Sequence, residues 1–289
     1  MANIEPHRAP SPAASLASPL LAQAPEGWDP GAAYERWMGR WSRKVAFEFL
    51  RWLGVPAGAT WADIGCGTGA LTEGVLRWAA PRAVIAIDRS EAYVAEARAR
   101  IRDPRAQLDV GDGGDTGLRE GTFAATVSGL VLDSLPDAEV LLEEMKRITM
   151  PSGVVAAYVW DYAGGMEMVR HFWDVAAELN PRDARLDQAE RFPLCRPEPL
   201  RDLFWRTGLA DVSVRAIEVP TVFISFDDYW TPFLGGEGSA PAYLASLPAD
   251  ARTRIRELLR ARLEAYGCPI AMRARAWAVR GTNPLPEIP

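Results

Sequence analysis

The chain has 289 residues, enough for one large domain or two modest domains with a sizeable hydrophobic core. Hydrophobic residues make up 48% and charged residues 24%, a composition typical of globular proteins. A net charge of -6 and an isoelectric point of about 5.2 exclude an overall field that would attract nucleic acid or an anionic membrane.

Cysteine and histidine are scarce. The cysteines are Cys66, Cys195 and Cys268, without any CxxC spacing, and the histidines are His7 and His171. This pattern favours a reducing compartment, so we expect a cytoplasmic protein with no disulfide framework and no metal site. The longest uncharged apolar run, residues 121–132, is shorter than the roughly 20 residues that a membrane span needs.

Residues 1–27 are rich in alanine, proline and serine, and we expect them to form a disordered tail. The alternative is an export signal, because Ala-Gln-Ala at 22–24 resembles a signal-peptidase site. Three prolines and Glu5 disfavour that alternative, since they interrupt the apolar stretch and place an acid where a basic region is expected. We expect residues 28–289 to form a single domain.

The first predicted helix covers residues 34–53, with Ala46, Phe49, Leu50 and Leu53 on one face. Strands and helices then alternate, with helix signals that include Ser90 as a cap and Pro136 in a first turn. Five strands separated by helices predict a parallel, doubly wound sheet with right-handed crossovers. The predicted strands cover residues 60–64, 83–87, 107–110, 123–130 and 154–160.

After residue 161 the pattern changes. We expect a first insertion at about 162–196, a helix at 197–207, a strand at 212–223, a second insertion at about 224–266 and a closing strand at 270–279. The arginines between 252 and 262 alternate with acids and indicate a solvated helix face. The fold class is therefore α/β: a mostly parallel Rossmann-like sheet of about seven strands, the last antiparallel at its edge, with helical insertions as substrate lids.

The sequence Asp-Ile-Gly-Cys-Gly-Thr-Gly at 63–69 marks a sharp strand-to-helix turn, where glycine permits close approach of a ligand. Asp88 ends the second strand, 19 residues after Gly69, and is placed to accept hydrogen bonds from ribose hydroxyls. Loop and carboxylate together indicate an adenosine-containing ligand. Since Gly65, Gly67 and Ala70 also fit the dinucleotide pattern, NAD(P) is an alternative.

Three features favour S-adenosylmethionine (SAM) over NAD(P). Asp63 precedes the glycines, where it would attract a cationic methionyl group and repel a pyrophosphate. Asp112 and Gly113 end the third strand, where they can meet an adenine edge, although residues 111–115 can equally form a simple turn. A helix also precedes the first strand, whereas dinucleotide domains often begin with that strand.

Residues 34–160 resemble the class I SAM-dependent methyltransferases of the type 11 subgroup, with matching motifs at 63–69, 84–88, 111–113 and 129–137. The resemblance implies SAM as cofactor and S-adenosylhomocysteine as product. It implies that Asp88 holds the ribose beside Arg89 at the adenine, and that Asp112 and Gly113 recognise the adenine edge. The residues it places along the methionyl part are Gly65, Cys66 and Gly67, together with the backbone at Gly129 and Leu130. Many relatives carry a histidine after the fourth strand, where this chain has Asp133, so no base is transferred from them.

The helix before the glycine strand supplies Tyr34, Arg40 and Trp41, which we expect to fold over the cofactor, with Arg40 pairing with its carboxylate. The insertions supply candidate acceptor-binding rings, which suit a flat or apolar molecule; the alternative is that they pack the insertions onto the sheet. These rings are Trp160, Tyr162, Phe172, Trp173, Tyr229 and Trp230. No catalytic base is assigned; the candidates are His171, Asp161 and Tyr162.

The sequence therefore predicts SAM-dependent methyl transfer to a small, partly aromatic or apolar metabolite, with neither nucleic acid nor membrane as partner and an undetermined oligomeric state. One rival is a SAM-binding module without catalysis. Another is an NAD(P)-dependent oxidoreductase, although the chain has no evident Tyr-x-x-x-Lys proton relay. A third keeps SAM but runs a non-methylating reaction.

Overall fold

One mixed sheet runs through the molecule, and its strands are bounded as follows: β1 (Thr60–Ile64), β2 (Ala83–Asp88), β3 (Ala106–Val110), β4 (Phe123–Gly129), β5 (Thr149–Trp160), β6 (Ala210–Phe223) and β7 (Ile270–Thr282). The computed structural model describes residues 38–235 and 238–286. Tyr34 and the tail at 1–27 lie outside the described residues.

The strand order is β3-β2-β1-β4-β5-β7-β6. Strands β1 to β5 are mutually parallel, and β7 runs antiparallel to both β5 and β6. The predicted fold class is confirmed, with the last strand antiparallel. One detail is corrected: β7 lies inside the sheet, and β6 forms the edge. Because β7 is antiparallel to both of its neighbours, β6 is parallel to the first five strands.

Strand ends differ from prediction where backbone geometry intervenes. Strand β4 ends at Gly129 because Leu130 has a left-handed φ of 63°, which takes it out of the pleat. Strand β5 begins at Thr149, earlier than expected, because that residue leaves the preceding helix and pairs with Phe123 of β4. Five carboxyl ends of parallel strands therefore share one edge of the sheet, which we call the ligand edge.

The helices are α1 (Arg40–Leu53), α2 (Ala70–Trp78), α3 (Glu91–Arg100), α4 (Ala138–Ile148), α5 (Glu167–Leu179), α6 (Gln188–Arg191), α7 (Pro197–Arg206), α8 (Phe226–Trp230), α9 (Ser239–Ser246) and α10 (Ala249–Glu264). Short 3₁₀ turns cover Leu132–Ser134, Pro181–Leu186, Pro193–Cys195 and Thr231–Gly235. No helix among the described residues is both long and apolar enough to span a bilayer.

The predicted inner face of α1 is confirmed, since Ala46, Phe49, Leu50 and Leu53 are all buried. Burial of each large side chain stabilises the fold by about 1.5–3 kcal/mol. The spacing of Leu71, Val75 and Trp78 predicts one inner face for α2, and this prediction is wrong at Trp78, which is 40% exposed. This residue is the last of its helix, and its ring packs edge-on against Phe47 of α1 rather than against the sheet.

The caps set where the helices begin. Ser90 caps α3 as predicted, accepting a hydrogen bond from the Tyr93 N–H. For α4 the cap is Asp137, which accepts from the Glu139 N–H. The helix therefore starts at Ala138, and Pro136 precedes it instead of occupying its first turn.

The two insertions pack on each other. The ring of Phe172 in α5 stacks on Phe233 at 4.8 Å, and Trp173 lies 5.3 Å from Tyr243 in α9. The arginines of α10 face acids: Arg256 pairs with Asp227 at 3.0 Å. Helices of both insertions thus form one layer beside the ligand edge.

Candidate cofactor and acceptor site

The turn between β1 and α2 depends on glycine for two different reasons. Gly65 and Gly67 have φ values of 76° and 54°, a region that other residues enter only with strain. A Cβ atom on Gly65 would lie 2.6 Å from the Val131 Cγ2 atom, whereas a Cβ atom on Gly67 would meet nothing within 4 Å. Gly65 is therefore required for packing against the segment after β4, and Gly67 leaves open space along the turn.

Asp88 at the end of β2 braces this turn. Its Oδ2 accepts a hydrogen bond from the Gly67 N–H at 2.9 Å, and its Oδ1 accepts from the Ser90 N–H at 2.8 Å. Each carboxylate oxygen can accept a further hydrogen bond. The half-buried Asp88 can therefore hold the loop and still accept hydrogen bonds from a ribose.

Asp63 lies fully buried at the end of β1. The Thr72 hydroxyl donates to its Oδ2 at 2.6 Å, but Oδ1 is buried and has no hydrogen-bond partner among the described residues. Burial raises the pKa of Asp63 to about 7, and the charge of Asp88 adds to the shift. A buried carboxylate oxygen without a partner is unfavourable, so a cationic ligand group at this position fits the site.

Asp112 and Gly113 follow β3. Asp112 is exposed, and its Oδ1 accepts a hydrogen bond from the Gly114 N–H at 2.9 Å, which forms a local turn. A Cβ atom on Gly113 would lie 2.5 Å from the Leu141 Cδ1 atom, so glycine is needed there for packing. Arg89 is exposed beside Asp88. Contacts of these residues with adenine stay predictions.

The backbone at the end of β4 is close to β5. A Cβ atom on Gly129 would lie 2.6 Å from the Tyr158 hydroxyl oxygen. The Leu130 N–H donates to the Tyr158 carbonyl at 2.8 Å, and this bond holds Leu130 in its left-handed conformation. The carbonyl of Gly129 and the turn after it thus lie on the ligand edge next to the glycine loop.

Arg40 and Trp41 stand at the start of α1. The Arg40 Nη1 atom pairs with the Asp228 Oδ1 atom of the second insertion at 3.0 Å, and the guanidinium lies 4.4 Å from the centre of the Trp41 ring. Trp41 also packs edge-on against Phe223, the last residue of β6. In this structure the carboxylate that pairs with Arg40 belongs to Asp228, and pairing with the cofactor stays a prediction.

The six rings predicted to bind the acceptor are buried, none more than 8% exposed: Trp160, Tyr162, Phe172, Trp173, Tyr229 and Trp230. The Tyr229 hydroxyl donates to the Met168 carbonyl at 2.9 Å, and the Trp173 indole N–H donates to the Gln188 Oε1 atom at 2.9 Å. Packing of the insertions onto the sheet accounts for these rings. Their contact with an acceptor stays a prediction.

The candidate catalytic groups are engaged elsewhere. His171 Nε2 lies 2.9 Å from the Tyr266 hydroxyl, and burial, with Arg262 nearby, lowers the pKa of His171. Asp161 accepts a hydrogen bond from the Gly164 N–H at 3.0 Å and pairs with Arg275 at 3.3 Å. The Tyr162 ring packs 6.1 Å from Phe192.

Sequence reasoning missed Thr72 and Val131, which shape the loop through Asp63 and Gly65. A polar residue directly after Leu71 in an apolar helix stripe was a signal for Thr72. Val131 lies within the 129–137 motif, but the sequence did not predict its contact with Gly65. Among the described residues, no group of three or more His, Cys, Asp or Glu side chains could hold a metal ion.

A glycine loop at the end of β1, braced by a carboxylate from β2, defines a Rossmann-like enzyme with a nucleoside cofactor. Residues 62–157 match the family described as a methyltransferase domain. These residues therefore form a methyltransferase domain of the class I SAM-dependent type, whose cofactor is SAM.

Two named relatives agree with the domain match. The chain is 29% identical over 202 residues to a trans-aconitate 2-methyltransferase of Acidovorax sp. (strain JS42), spanning 66% of this chain and 76% of the relative. It is 30% identical over 144 residues to a demethylmenaquinone methyltransferase of Lactobacillus johnsonii, spanning 48% of this chain and 59% of that one.

The fold is shared with a phosphoethanolamine N-methyltransferase of Haemonchus contortus, solved with S-adenosylhomocysteine. That match has a TM-score of 0.56 and 16% identity, and it covers 88% of this chain but only 57% of the other, so this chain spans little more than half the length of that relative. A type II methyltransferase structure from Anaeromyxobacter dehalogenans matches with a TM-score of 0.57 and 23% identity, over 84% of this chain and 96% of the other.

Proposed function

We propose that this methyltransferase transfers the methyl group of SAM to a small, partly apolar or aromatic organic acceptor. The observation that carries the proposal is the buried Asp63 Oδ1 atom, which has no hydrogen-bond partner within residues 38–235 and 238–286 and lies at the entrance of a glycine loop braced by Asp88. Bound SAM supplies a sulfonium-activated methyl group.

The residues around the loop divide the work of binding. Asp63 would hold the cationic methionyl amino group, because its Oδ1 atom can accept a hydrogen bond that no described residue donates. Asp88 would hold the ribose while keeping its bonds to Gly67 and Ser90. Gly67 leaves the space that a ligand along the turn needs.

The insertions support a small acceptor. Their buried rings pack against one another, an arrangement that can help to exclude water from a small acceptor. The names of similar proteins give trans-aconitate, demethylmenaquinone and phosphoethanolamine as their substrates. These are three different small molecules, so they support the size class without identifying the acceptor. We further propose a cytoplasmic, single-domain enzyme over residues 28–289, with nucleic acid excluded as acceptor.

The charged groups around the glycine loop disfavour an NAD(P)-dependent oxidoreductase. A pyrophosphate beside Asp63 would meet a buried carboxyl group that no described cation pairs with, which disfavours NAD(P). The lysines of the chain, Lys44 and Lys146, donate to the backbone carbonyls of Pro220 and Thr207 and offer no proton relay at the loop. Detection of S-adenosylhomocysteine after addition of acceptors distinguishes an enzyme from a binding module without catalysis.

The test is thermal unfolding of the purified chain with SAM, S-adenosylhomocysteine or NAD(H), followed by detection of S-adenosylhomocysteine when acceptors are added. A ligand at 100 times its dissociation constant stabilises the protein by about 2.7 kcal/mol, which for this size is a shift of about 5–11 °C. The shift should occur with SAM and its product, disappear in Asp88→Ala and survive in Glu91→Ala, an exposed acid on the same turn. A shift with NAD(H) alone would refute the proposal, and SAM binding without turnover of any acceptor would favour the inactive module.

A further inference from the structure

Asp133 lies on the ligand edge, directly after the segment that touches the glycine loop. Strand β4 ends at Gly129, Val131 reaches over Gly65, and a 3₁₀ turn covers Leu132–Ser134. Leu132 is fully buried and anchors this turn. The backbone thus fixes Asp133 close to the loop that binds the cofactor.

The carboxyl group of Asp133 is incompletely paired. The effect of burial on the pKa of Asp133 is partly offset by its own backbone N–H and by the neighbouring Cys195 thiol, which lower that pKa, and the Tyr162 backbone in turn partly offsets the effect of burial on the pKa of Cys195. Its Oδ1 atom is buried without a hydrogen-bond partner, and no salt bridge reaches Asp133 from residues 38–235 or 238–286. Burial raises the pKa of Asp133 to about 6, so the carboxylate still forms near neutral pH.

Asp133 and Asp63 share one property in the described part of the chain. They are the carboxyl groups with a buried oxygen that accepts no hydrogen bond, at Oδ1 in both residues. Both flank Gly65, Asp63 along the chain and Asp133 through the contact of Val131. An unmade hydrogen bond on a buried carboxyl group is unfavourable by about 1–3 kcal/mol or more. Two such groups around one loop indicate two positions where ligand supplies the donor.

The acids near Asp133 define the charge that an acceptor would meet. The thiol of Cys195 lies in the field of both Asp133 and Asp161, and after burial these carboxyl groups raise its pKa. Asp161 is balanced by Arg275, which also pairs with Glu218 at 2.6 Å. No cation of the described residues is left to balance Asp133. A carboxylate on the acceptor would be repelled here, whereas an N–H or O–H donor would be bound.

We propose that Asp133 contacts the acceptor and selects a neutral or cationic molecule that presents an N–H or O–H group, with Cys195 positioning the carboxyl group. This inference rests on the proposed function, because it places the acceptor next to the cofactor loop. It assigns the chain a different charge preference from its trans-aconitate relatives, whose named substrate is an acid.

The experiment compares three probes on one aromatic scaffold: benzylamine, benzyl alcohol and benzoate. Their binding to the full chain saturated with S-adenosylhomocysteine is measured by titration calorimetry or ligand-observed NMR. Wild type should bind benzylamine at least tenfold more tightly than benzoate, with benzyl alcohol between them. In Asp133→Asn, which keeps the shape and removes the charge, the ratio of the two charged probes should fall to about one.

The matched control is Asp137→Asn, an exposed acid in the same segment that caps α4, which should keep the wild-type ratio. Cys195→Ala should weaken the preference while keeping its sign, a result that a purely structural role of Asp133 does not give. Asp133→Ser serves if the asparagine variant does not fold.

Three results overturn the inference: benzoate bound as well as benzylamine by wild type, an unchanged ratio in Asp133→Asn, or no probe bound at 50 times the protein concentration and above. The thermal shift with SAM, measured on the same proteins, separates this failure from failure of the proposed function. If the thermal shift with SAM is retained, only the acceptor assignment is wrong.

Discussion

Alanine substitutions at Gly65 and Gly67 separate the structural and ligand-binding roles of the glycine loop. Both residues have positive φ, so an alanine at either position is strained by about 1–2 kcal/mol. Only at Gly65 does the new methyl group also collide, 2.6 Å from the Val131 side chain. Overpacking of this kind is unfavourable by about 1–3 kcal/mol.

The free energy of unfolding should therefore fall by about 1–2 kcal/mol in Gly67→Ala and by about 2–5 kcal/mol in Gly65→Ala. At about 2–4 °C per kcal/mol, the melting temperature should drop by about 2–8 °C in the first variant and by about 4–20 °C in the second. Relative to its loss of stability, Gly67→Ala should weaken SAM binding more than Gly65→Ala does. The reason is that the methyl group on Gly67 points into the open space along the turn.

Urea denaturation of both variants, with and without Val131→Ala, measures these terms as a double-mutant cycle. The smaller side chain at position 131 should relieve most of the steric overlap in Gly65→Ala and restore the stability lost to it, whereas it should restore no stability in Gly67→Ala. Calorimetric titration with SAM follows on the folded variants. Equal destabilisation of the two single variants, or a rescue of both by Val131→Ala, would refute the reasoning from the loop geometry.

Three further predictions concern charged groups. Burial holds the folded-state pKa of Asp63 near 7, above its ordinary value of 3.8, so the folded protein retains this proton longer than the unfolded chain. The free energy of unfolding should therefore decline as the pH rises from 3.8 to about 7. Asp63→Asn should flatten that slope in urea denaturation and weaken SAM binding near pH 7. If Arg40 leaves Asp228 for the cofactor carboxylate, Arg40→Ala should weaken SAM about tenfold while Asp228→Asn does not, and equal affinities in a titration would exclude the pairing. If His171 acts as a base, the pH-rate profile of His171→Ala should be flat, and a profile identical to that of wild type would discard the role.

The sheet and the cofactor loop could be predicted because local patterns determine them. Alternating strands and helices fix the parallel order, and glycines with an acid at the next strand end fix the ligand edge. The position of β7 between β5 and β6 was less accessible, since it depends on which strand edge the returning chain pairs with. That choice rests on long-range packing, which leaves no signal in periodicity.

The acceptor side was harder for a physical reason. Asp133 and Cys195 meet across 62 positions of sequence, and neither belongs to a local motif that announces the contact. The aromatic residues gave a strong compositional signal, yet Phe172 and Tyr229 are fully buried. An aromatic-rich insertion has to bury its own rings to stay folded, so ring content alone does not reveal which surface meets a ligand.

The pairing of carboxyl groups carries the information that composition lacks. In the second insertion Asp228 pairs with Arg40, and just after β5 Asp161 pairs with Arg275, so these acids stabilise contacts between elements. Along the ligand edge, Asp63 and Asp133 keep buried oxygens that no residue in the described part of the chain pairs with, although arginines are abundant in the sequence. Since a fold selected for stability alone would pair or replace such groups, their placement indicates that the missing donors arrive with the ligands. A cofactor that carries an amino group and a sulfonium, and an acceptor that carries an N–H or O–H, supply that complement, and a phosphate-rich dinucleotide does not.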